Sequence, residues 1–370
     1  MKIAFDYQKF CAQPYGGITR YFTRLAEQLL QLGQEVGVFA PIHLNQYVRA
    51  LPPSVVHGYG LPRYLPRTEP LMMMINQWIS KNSIRRWQPN IVHETYFARQ
   101  GSAPRGCPTV LTVYDMIHEK FKELFPATDS ESRLKRLSIE RADHIICISN
   151  NTRKDLLEIF NINEGKVSVV HLGLEQIRSF NSSRTESMQI NRPYLLYVGS
   201  RGPYKNFQGL LKALASSKRL RDEFDLVAFS SSALTSTEKN LIAELKFRDN
   251  QIRHVTGSDE VLGKLYAHAT AYILPSLYEG FGLPPLEAML HNCPVISSNT
   301  SSMPEVIGNA AEYFDPISNE QMANAIERVV FSPTRAEELV KAGQVRHKLF
   351  TWEQCAKKTM HIYHKINGGL

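Results

Sequence analysis

The chain has 370 residues, enough for two or three domains, and its 43% apolar and 21% charged composition excludes a disordered or fibrous protein. A net charge of +8 (43 basic residues against 35 acidic) suits nucleic acid, anionic lipid or a phosphorylated small molecule, and with no Lys/Arg block or aromatic-basic repeat nucleic acid ranks last and is not expected as a partner. The five cysteines stand singly, which argues against a disulfide framework and a zinc cluster and fits a reducing cytoplasm; no window holds the ~18 apolar residues of a membrane span.

Along the chain the pattern is strand, helix, strand. The strands are too apolar to alternate between an inner and an outer face, which points to parallel strands covered on both sides. The opening run Met1 to Tyr7 is too short for a signal peptide and reads as a first buried strand, 2–6. Helical spacing follows at 19–32, closed by Gly33. Further strands are expected at 35–40, 90–93, 109–114, 144–148 and 166–171. The basic amphipathic stretch from Leu71 to Trp87 has two readings: a core-facing helix before the strand at Ile91, which is favoured, and a surface resting on an anionic membrane. The Ser-rich, polar stretch 176–192 has no apolar period and is read as a linker between domains 1–175 and 193–350. A second series of strands begins at Tyr194 and continues at 226–229, 252–256, 271–274 and 294–297, and 351–370 is helical again.

The motifs with chemical content fall at strand ends, where open parallel sheets bind ligands. Tyr15-Gly16-Gly17 opens the first long helix, and its amides can face an anion. No G-x-G-x-x-G occurs, which disfavours a nicotinamide or flavin enzyme. Asp115 and His118 follow the strand at 109–114, as a loop carboxylate and a nearby imidazole. Ser149 and Asn150 are explained by helix capping alone. In Val198-Gly199-Ser200-Arg201-Gly202-Pro203-Tyr204-Lys205-Asn206, Lys205 is a point cation and Arg201 a fork donor, and both suit a diphosphate. The richest strip is Pro275-Ser276-Leu277-Tyr278-Glu279-Gly280-Phe281-Gly282-Leu283-Pro284-Pro285-Leu286-Glu287. A Gly-Phe-Gly turn lets backbone approach a ligand. A helix expected at 285–292 supplies amides for an anion, with Glu287 in its first turn. Carboxylates for hydroxyls beside amides for an anion suit a sugar joined to a phosphate.

That strip resembles the Glu-x7-Glu signature of GT-B glycosyltransferases, within the large family 4 of retaining enzymes, and the Gly-Gly, Val-Gly…Lys-Asn and Ile148-Ser149…Asp155-Leu156 motifs match in the same order. The family often has His-Asp where this chain has Tyr114-Asp115; His118 lies three residues on. The resemblance implies two Rossmann-like domains facing across a cleft, with the last helix crossing back to the first domain. It implies a retaining, metal-independent hexosyltransferase resembling O-antigen mannosyltransferases of bacterial cell-surface polysaccharide synthesis. The donor would be a GDP- or UDP-sugar, a co-substrate, with no cofactor and no metal; the chain has no Asp-x-Asp. The acceptor would be a glycan or a lipid-linked glycan, met in the cytoplasm or at the inner face of the membrane. On that reading Asp115, His118 and Glu279 are the catalytic candidates, with Glu279 on the hexose hydroxyls. Gly17, Arg201, Lys205, Gly280, Phe281, Gly282, Leu283 and Glu287 bind the donor, Glu287 through the ribose. The alternatives are a catalytically silent sugar-nucleotide binder and a glycogen- or sucrose-synthase-like transferase.

Overall fold

The computed structural model describes residues 1–126, 128–175 and 190–368, so most of the expected linker lies outside the described residues. The chain divides into two compact units, Met1–Gly173 with Thr351–Leu370, and Leu174–Phe350.

The first unit is built on six parallel strands in the order Glu35–Val38, Lys2–Phe5, Ile91–Glu94, Thr109–Val113, His144–Cys147, Val167–Val169. The three strands from Ile91 to Cys147 are buried at every position, which explains why their sequences show no alternation. The helix Gly17–Gln31 covers the sheet with Tyr21, Phe22, Leu25, Ala26 and Leu29; each large apolar side chain so buried stabilises by roughly 1.5–3 kcal/mol. The helix Trp352–Ile366 lies against it, N-capped by the Thr351 hydroxyl. Tyr363 carries this helix to the sheet: its hydroxyl is 2.6 Å from His93 Nδ1, and His93 Nε2 is 2.8 Å from Thr112 Oγ1. A Cβ at Gly173 would stand 2.4 Å from the Trp352 nitrogen, so only glycine passes there.

The favoured reading of the Leu71–Trp87 stretch, a core-facing helix before the strand at Ile91, holds at its C-terminal end, where Ile84 is buried with Ala4, Phe39 and Val92 and Trp87 packs against them, but not in its first half. The helix Glu69–Trp87 buries Asn76, Ser80 and Ile84, and exposes Leu71, Met74 and Trp78. The reason is a hydrogen-bond demand of the neighbouring loop. Asn76 accepts from the Ile42 N–H at 2.7 Å and donates to the Ile42 carbonyl at 3.0 Å, while Ser80 donates to the Phe39 carbonyl at 2.9 Å. Buried backbone groups need partners, and these two side chains supply them.

The second unit repeats the plan with the order Ile252–Val255, Asp225–Phe229, Tyr194–Val198, Ala271–Leu274, Val295–Ser298, Ala311–Phe314, again all parallel. Its core joins Leu195, Tyr197, Ala228 and Ile273 of the strands to Phe207, Leu210, Leu214, Ile326 and Val329 of the helices Phe207–Ser216 and Asn319–Val330. The edge strand Ala311–Phe314 was not anticipated: it is short, half-buried and carries a glutamate, so it lacks the apolar run of its neighbours. In both sheets the strand order reverses beside the first strand, between Lys2–Phe5 and Ile91–Glu94, and between Tyr194–Val198 and Ala271–Leu274. Ligand crevices open beyond the carboxyl ends at such reversals.

Candidate functional site

In the second unit two loops leave the reversal. One runs from Gly199, whose φ of +128° suits glycine, to Asn206. The other runs from Pro275 to Gly282. The Leu277 N–H donates to the Tyr204 carbonyl at 2.8 Å and joins them. Lys205 Nζ then meets both carboxylate oxygens of Glu279, at 2.7 and 2.8 Å, with the two side chains 20% and 13% exposed. Glu279 is fixed by three serines. Ser276 Oγ donates to its Oε1 at 2.7 Å, Ser301 Oγ accepts from its N–H at 2.9 Å, and Ser302 Oγ donates to its carbonyl at 2.8 Å. Ser276 and Glu279, three apart in the sequence, belong to one motif; the lysine, 74 residues away, is brought by the sheet.

Gly282 adopts φ +91°, and an added Cβ would stand 2.7 Å from Met303 Cε. The helix Leu283–Leu290 starts directly after it, two residues before the expected start, so Glu287 is its fifth residue and lies in the second turn, not the first. Pro284 and Pro285 remove two of the first N–H groups, so fewer amides face an anion than the sequence reading supposed. The N–H groups of Gly282 and Leu283 make no hydrogen bond among the described residues. Phe281 is buried edge-on against Phe350, Gly280 is buried beside it, and Leu283 is half-buried. Glu287 Oε2 accepts from the Tyr266 hydroxyl at 3.3 Å. Burial, then the Glu287 charge, pushes the Tyr266 hydroxyl well up, so it remains a donor. Tyr272, on the strand Ala271–Leu274, has a buried hydroxyl with no hydrogen-bond partner among the described residues; burial raises its pKa, and the Glu279 and Glu287 charges add to that. No local signal marked Tyr266 or Tyr272, because their neighbours at the site are distant in the chain.

Arg201 is not brought to this group. Its guanidinium, 5% exposed, donates to Glu238 Oε1 at 2.7 Å, to the Ser230 hydroxyl and to the Ser232 and Ala233 carbonyls. Burial pushes the Glu238 carboxyl up, but the Arg201 hydrogen bond and the Thr235 contacts outweigh it and hold it below its ordinary value. The expectation of a diphosphate fork at Arg201 is therefore revised: the residue ties a loop to the N-terminus of the helix Ser236–Glu244.

In the first unit, Gly17 begins its helix with no atom within 4 Å of the place of a Cβ. The fold itself does not need glycine there, and the space suits a close ligand. Asp115 Oδ1 accepts from the Ile117 N–H at 3.0 Å, a local turn bond just before the short helix Ile117–Lys120, and the Asp115 carbonyl accepts from Lys135 Nζ at 3.0 Å. Lys135 is also paired with Glu119 at 2.6 Å, both side chains 1% exposed. His118 stacks on Phe125 with ring centroids 3.9 Å apart. Its Nε2 is 3.2 Å from Asp129 Oδ2, and its Nδ1 is 3.3 Å from Glu131 Oε1 without hydrogen-bond alignment. The imidazole is thus enclosed by carboxylates of the following loop and helix, which the sequence did not reveal. Below the sheet's carboxyl edge, Asp6 accepts from Thr95, Gln8 and Ser102, and Glu94 is held by Arg141 at 2.6 Å. Burial, with Asp6 close by, pushes the Glu94 carboxyl up to about 7 against the pull of Arg141.

The family described as "Glycosyltransferase Family 4" matches residues 15–176, and that described as "Glycosyl transferases group 1" matches residues 181–346. The O-antigen chain mannosyltransferase B of Escherichia coli is 26% identical over 98% of this chain and 99% of its own length. The sucrose-phosphate synthase of Thermosynechococcus elongatus superposes with a TM-score of 0.77 at 20% identity, covering 100% of this chain and 99% of that one. Anabaena HepE in complex with UDP-glucose superposes with a TM-score of 0.72 at 16% identity, covering 98% of this chain and 100% of that one. These likenesses give the GT-B fold with two Rossmann-like domains.

Proposed function

Since this chain belongs to the glycosyltransferases of group 1 and family 4, we propose that it moves a hexose, mannose first among the candidates, from a GDP- or UDP-sugar to a glycan or lipid-linked acceptor of a bacterial cell-surface polysaccharide. The sugar follows from the E. coli relative's name, and the nucleotide sugar from UDP-glucose in the HepE complex. The observation that carries the reading is the Lys205–Glu279 grip at the strand reversal. A cation for a diphosphate and a carboxylate for sugar hydroxyls stand side by side where this fold class binds ligands.

In the proposed mechanism Lys205 and the Gly282 and Leu283 amides stabilise the charge that develops on the departing diphosphate, a preorganised electrostatic role that takes the place of a metal. Glu279 holds the hexose hydroxyls and Glu287, oriented by Tyr266, the ribose. The acceptor hydroxyl attacks from the face the diphosphate leaves, a diphosphate oxygen takes its proton, and the anomeric configuration is retained. Asp115 and His118 serve the acceptor side.

A thermal-shift panel of GDP-, UDP-, ADP- and dTDP-sugars identifies the donor, because a ligand at about 100 times its Kd stabilises by ~2.7 kcal/mol. Product NMR with that donor in excess EDTA tests the rest. No stabilisation by any of the four defeats the donor reading. An inverted anomer, or a loss of activity that Mg²⁺ or Mn²⁺ restores, defeats the retaining or the metal-free mechanism.

A further inference from the structure

The strand Ala271–Leu274 turns Ile273 into the core with Leu195 and Phe207, so Tyr272 points to the other side of the sheet. There its ring meets that of Tyr266 edge-on, with centroids 5.7 Å apart and planes at 71°. Tyr272 is fully buried, and its hydroxyl has no hydrogen-bond partner among the described residues. The buried tyrosines around it do have one. Tyr194 donates to the Leu265 carbonyl at 2.8 Å, Tyr197 to the Ser200 carbonyl at 2.5 Å, and Tyr266 to Glu287 at 3.3 Å. A buried hydroxyl left unsatisfied costs stability, and phenylalanine would fill the same space without that cost. The fold thus gains nothing from this oxygen, which lies one aromatic ring away from the tyrosine that holds Glu287.

We propose that Tyr272 is a positioning residue of the nucleotide site: when a ribose engages Glu287, the carboxylate settles onto the tyrosine pair and takes the Tyr272 hydroxyl as a donor beside that of Tyr266. The inference rests on the ribose role proposed above for Glu287. The bond from Tyr266 is long for a hydroxyl on a carboxylate, which ordinarily stands at ~2.5–2.7 Å, so the carboxylate has room to move closer. Glu287 is half-buried in the second turn of the helix Leu283–Leu290, so it can meet a ligand while its Oε2 faces the tyrosines. Glu279 is the other carboxylate nearby, but Lys205 already bonds both of its oxygens and Ser276 one of them. Burial, the Glu279 charge, Tyr197 and the Glu287 charge all raise the pKa of Tyr272 well above its ordinary value, so the hydroxyl keeps its proton to donate. Two donors on one carboxylate fix its plane, and a fixed plane is what bridging two ribose hydroxyls requires.

Tyr272→Phe removes one oxygen and leaves the ring in place. Calorimetry of the full chain with UDP and GDP, and with their 2′-deoxy counterparts, reads the effect. Whichever ribonucleotide binds the wild type should bind the variant about tenfold more weakly, the size of a hydrogen bond to a charged group. Its 2′-deoxy counterpart offers Glu287 one hydroxyl fewer, and should bind wild type and variant within about twofold of each other. Added to Glu287→Gln, Tyr272→Phe should cost nothing further. Thermal unfolding of the ligand-free variant should be unchanged or higher, because the lost hydroxyl had no partner. A lower ligand-free stability shows that the hydroxyl serves the fold, and overturns the proposal. So does an equal loss on the 2′-deoxy form or in the Glu287→Gln background, which would route the effect through Glu279 and the diphosphate. If neither UDP nor GDP binds the wild type, the donor reading fails and this inference with it; a ribonucleotide that binds wild type and Tyr272→Phe equally sinks the inference alone.

Discussion

At the scale of residues, Lys205 and Glu279 hold one another, so a change in either is felt by both. Lys205→Ala should weaken nucleoside-diphosphate binding by roughly ten- to a hundredfold, the worth of a charge-assisted bond of ~1.5–3 kcal/mol. Glu279→Gln behaves differently. It leaves Lys205 with a neutral partner, so affinity for the diphosphate alone should hold or rise, while turnover of the intact donor falls. Its bonds to the sugar strengthen as the ring gains positive charge, which places the loss in kcat. Calorimetry with the diphosphate, beside kinetics with the donor, separates the two. An equal loss of diphosphate affinity in both variants would reduce Glu279 to a prop for the lysine.

At the scale of elements, two joints fix the site's loops. Gly282 turns the chain into the helix Leu283–Leu290 through a left-handed conformation. Met303 Cε can move aside from a new methyl group, but the φ of +91° cannot be escaped, so Gly282→Ala should cost on the order of 1–2 kcal/mol. It should also lower turnover by displacing Glu279 from Lys205; wild-type kinetics in a destabilised protein would separate the turn from the chemistry. In the first unit the buried Lys135–Glu119 pair ties the loop of Asp115 to the helix Glu131–Arg141. Lys135→Met alone leaves Glu119 as a buried, unpaired charge and should cost ~3–5 kcal/mol, whereas Lys135→Met with Glu119→Met should recover much of that. Urea unfolding of both variants decides. Equal destabilisation would show that the Asp115 carbonyl bond, lost in both, matters more than the pair.

At the scale of the whole molecule, acid should act first on the unit that carries the C-terminal helix. His93 joins that helix to the sheet, and burial lowers its pKa to about 3; burial, aided by Lys365 and Lys166, lowers that of His144 to about 4. Unfolded, both take up a proton near 6.5. These groups therefore cost the fold nothing above pH 6.5 and destabilise it increasingly as the pH falls toward those folded values; at ~1.4 kcal/mol per pKa unit, His93 alone accounts for about 5 kcal/mol. Glu94 has the opposite sign. Its folded pKa of about 7 lies above the ordinary 4.5, so it favours the folded state at low pH and loses that effect between pH 4.5 and 7. Two histidines outweigh one glutamate below 6.5, which places the stability maximum contributed by these groups near pH 6.5. Thermal unfolding against pH should show that maximum, and His93→Gln should flatten its acid side. An unchanged slope in the variant would remove His93 from the account.

The sequence by itself determined what short-range physics can write. Unbroken apolar runs meant parallel strands buried on both faces, and eleven of the strands lie where those runs stand. The Glu279 to Glu287 strip announced a glycine turn into a helix. The boundaries moved only by the residues that Gly282 and two prolines control. What the tertiary structure decided were the partners. Lys205 reaches Glu279 because the first and fourth strands of the second sheet are neighbours, a fact of strand order that lies 74 residues beyond any local pattern. Arg201 and Lys205, alike as cations in one motif, separate because Glu238 lies within reach of one and Glu279 of the other. The helix that carries Leu71 shows the same limit. Its composition read as a core helix, and Ile84 is in the core, but the Ile42 and Phe39 backbone groups required Asn76 and Ser80 inside, and Leu71, Met74 and Trp78 were turned outward. Periodicity records which side chains share a face; only the packed neighbours determine which face is buried.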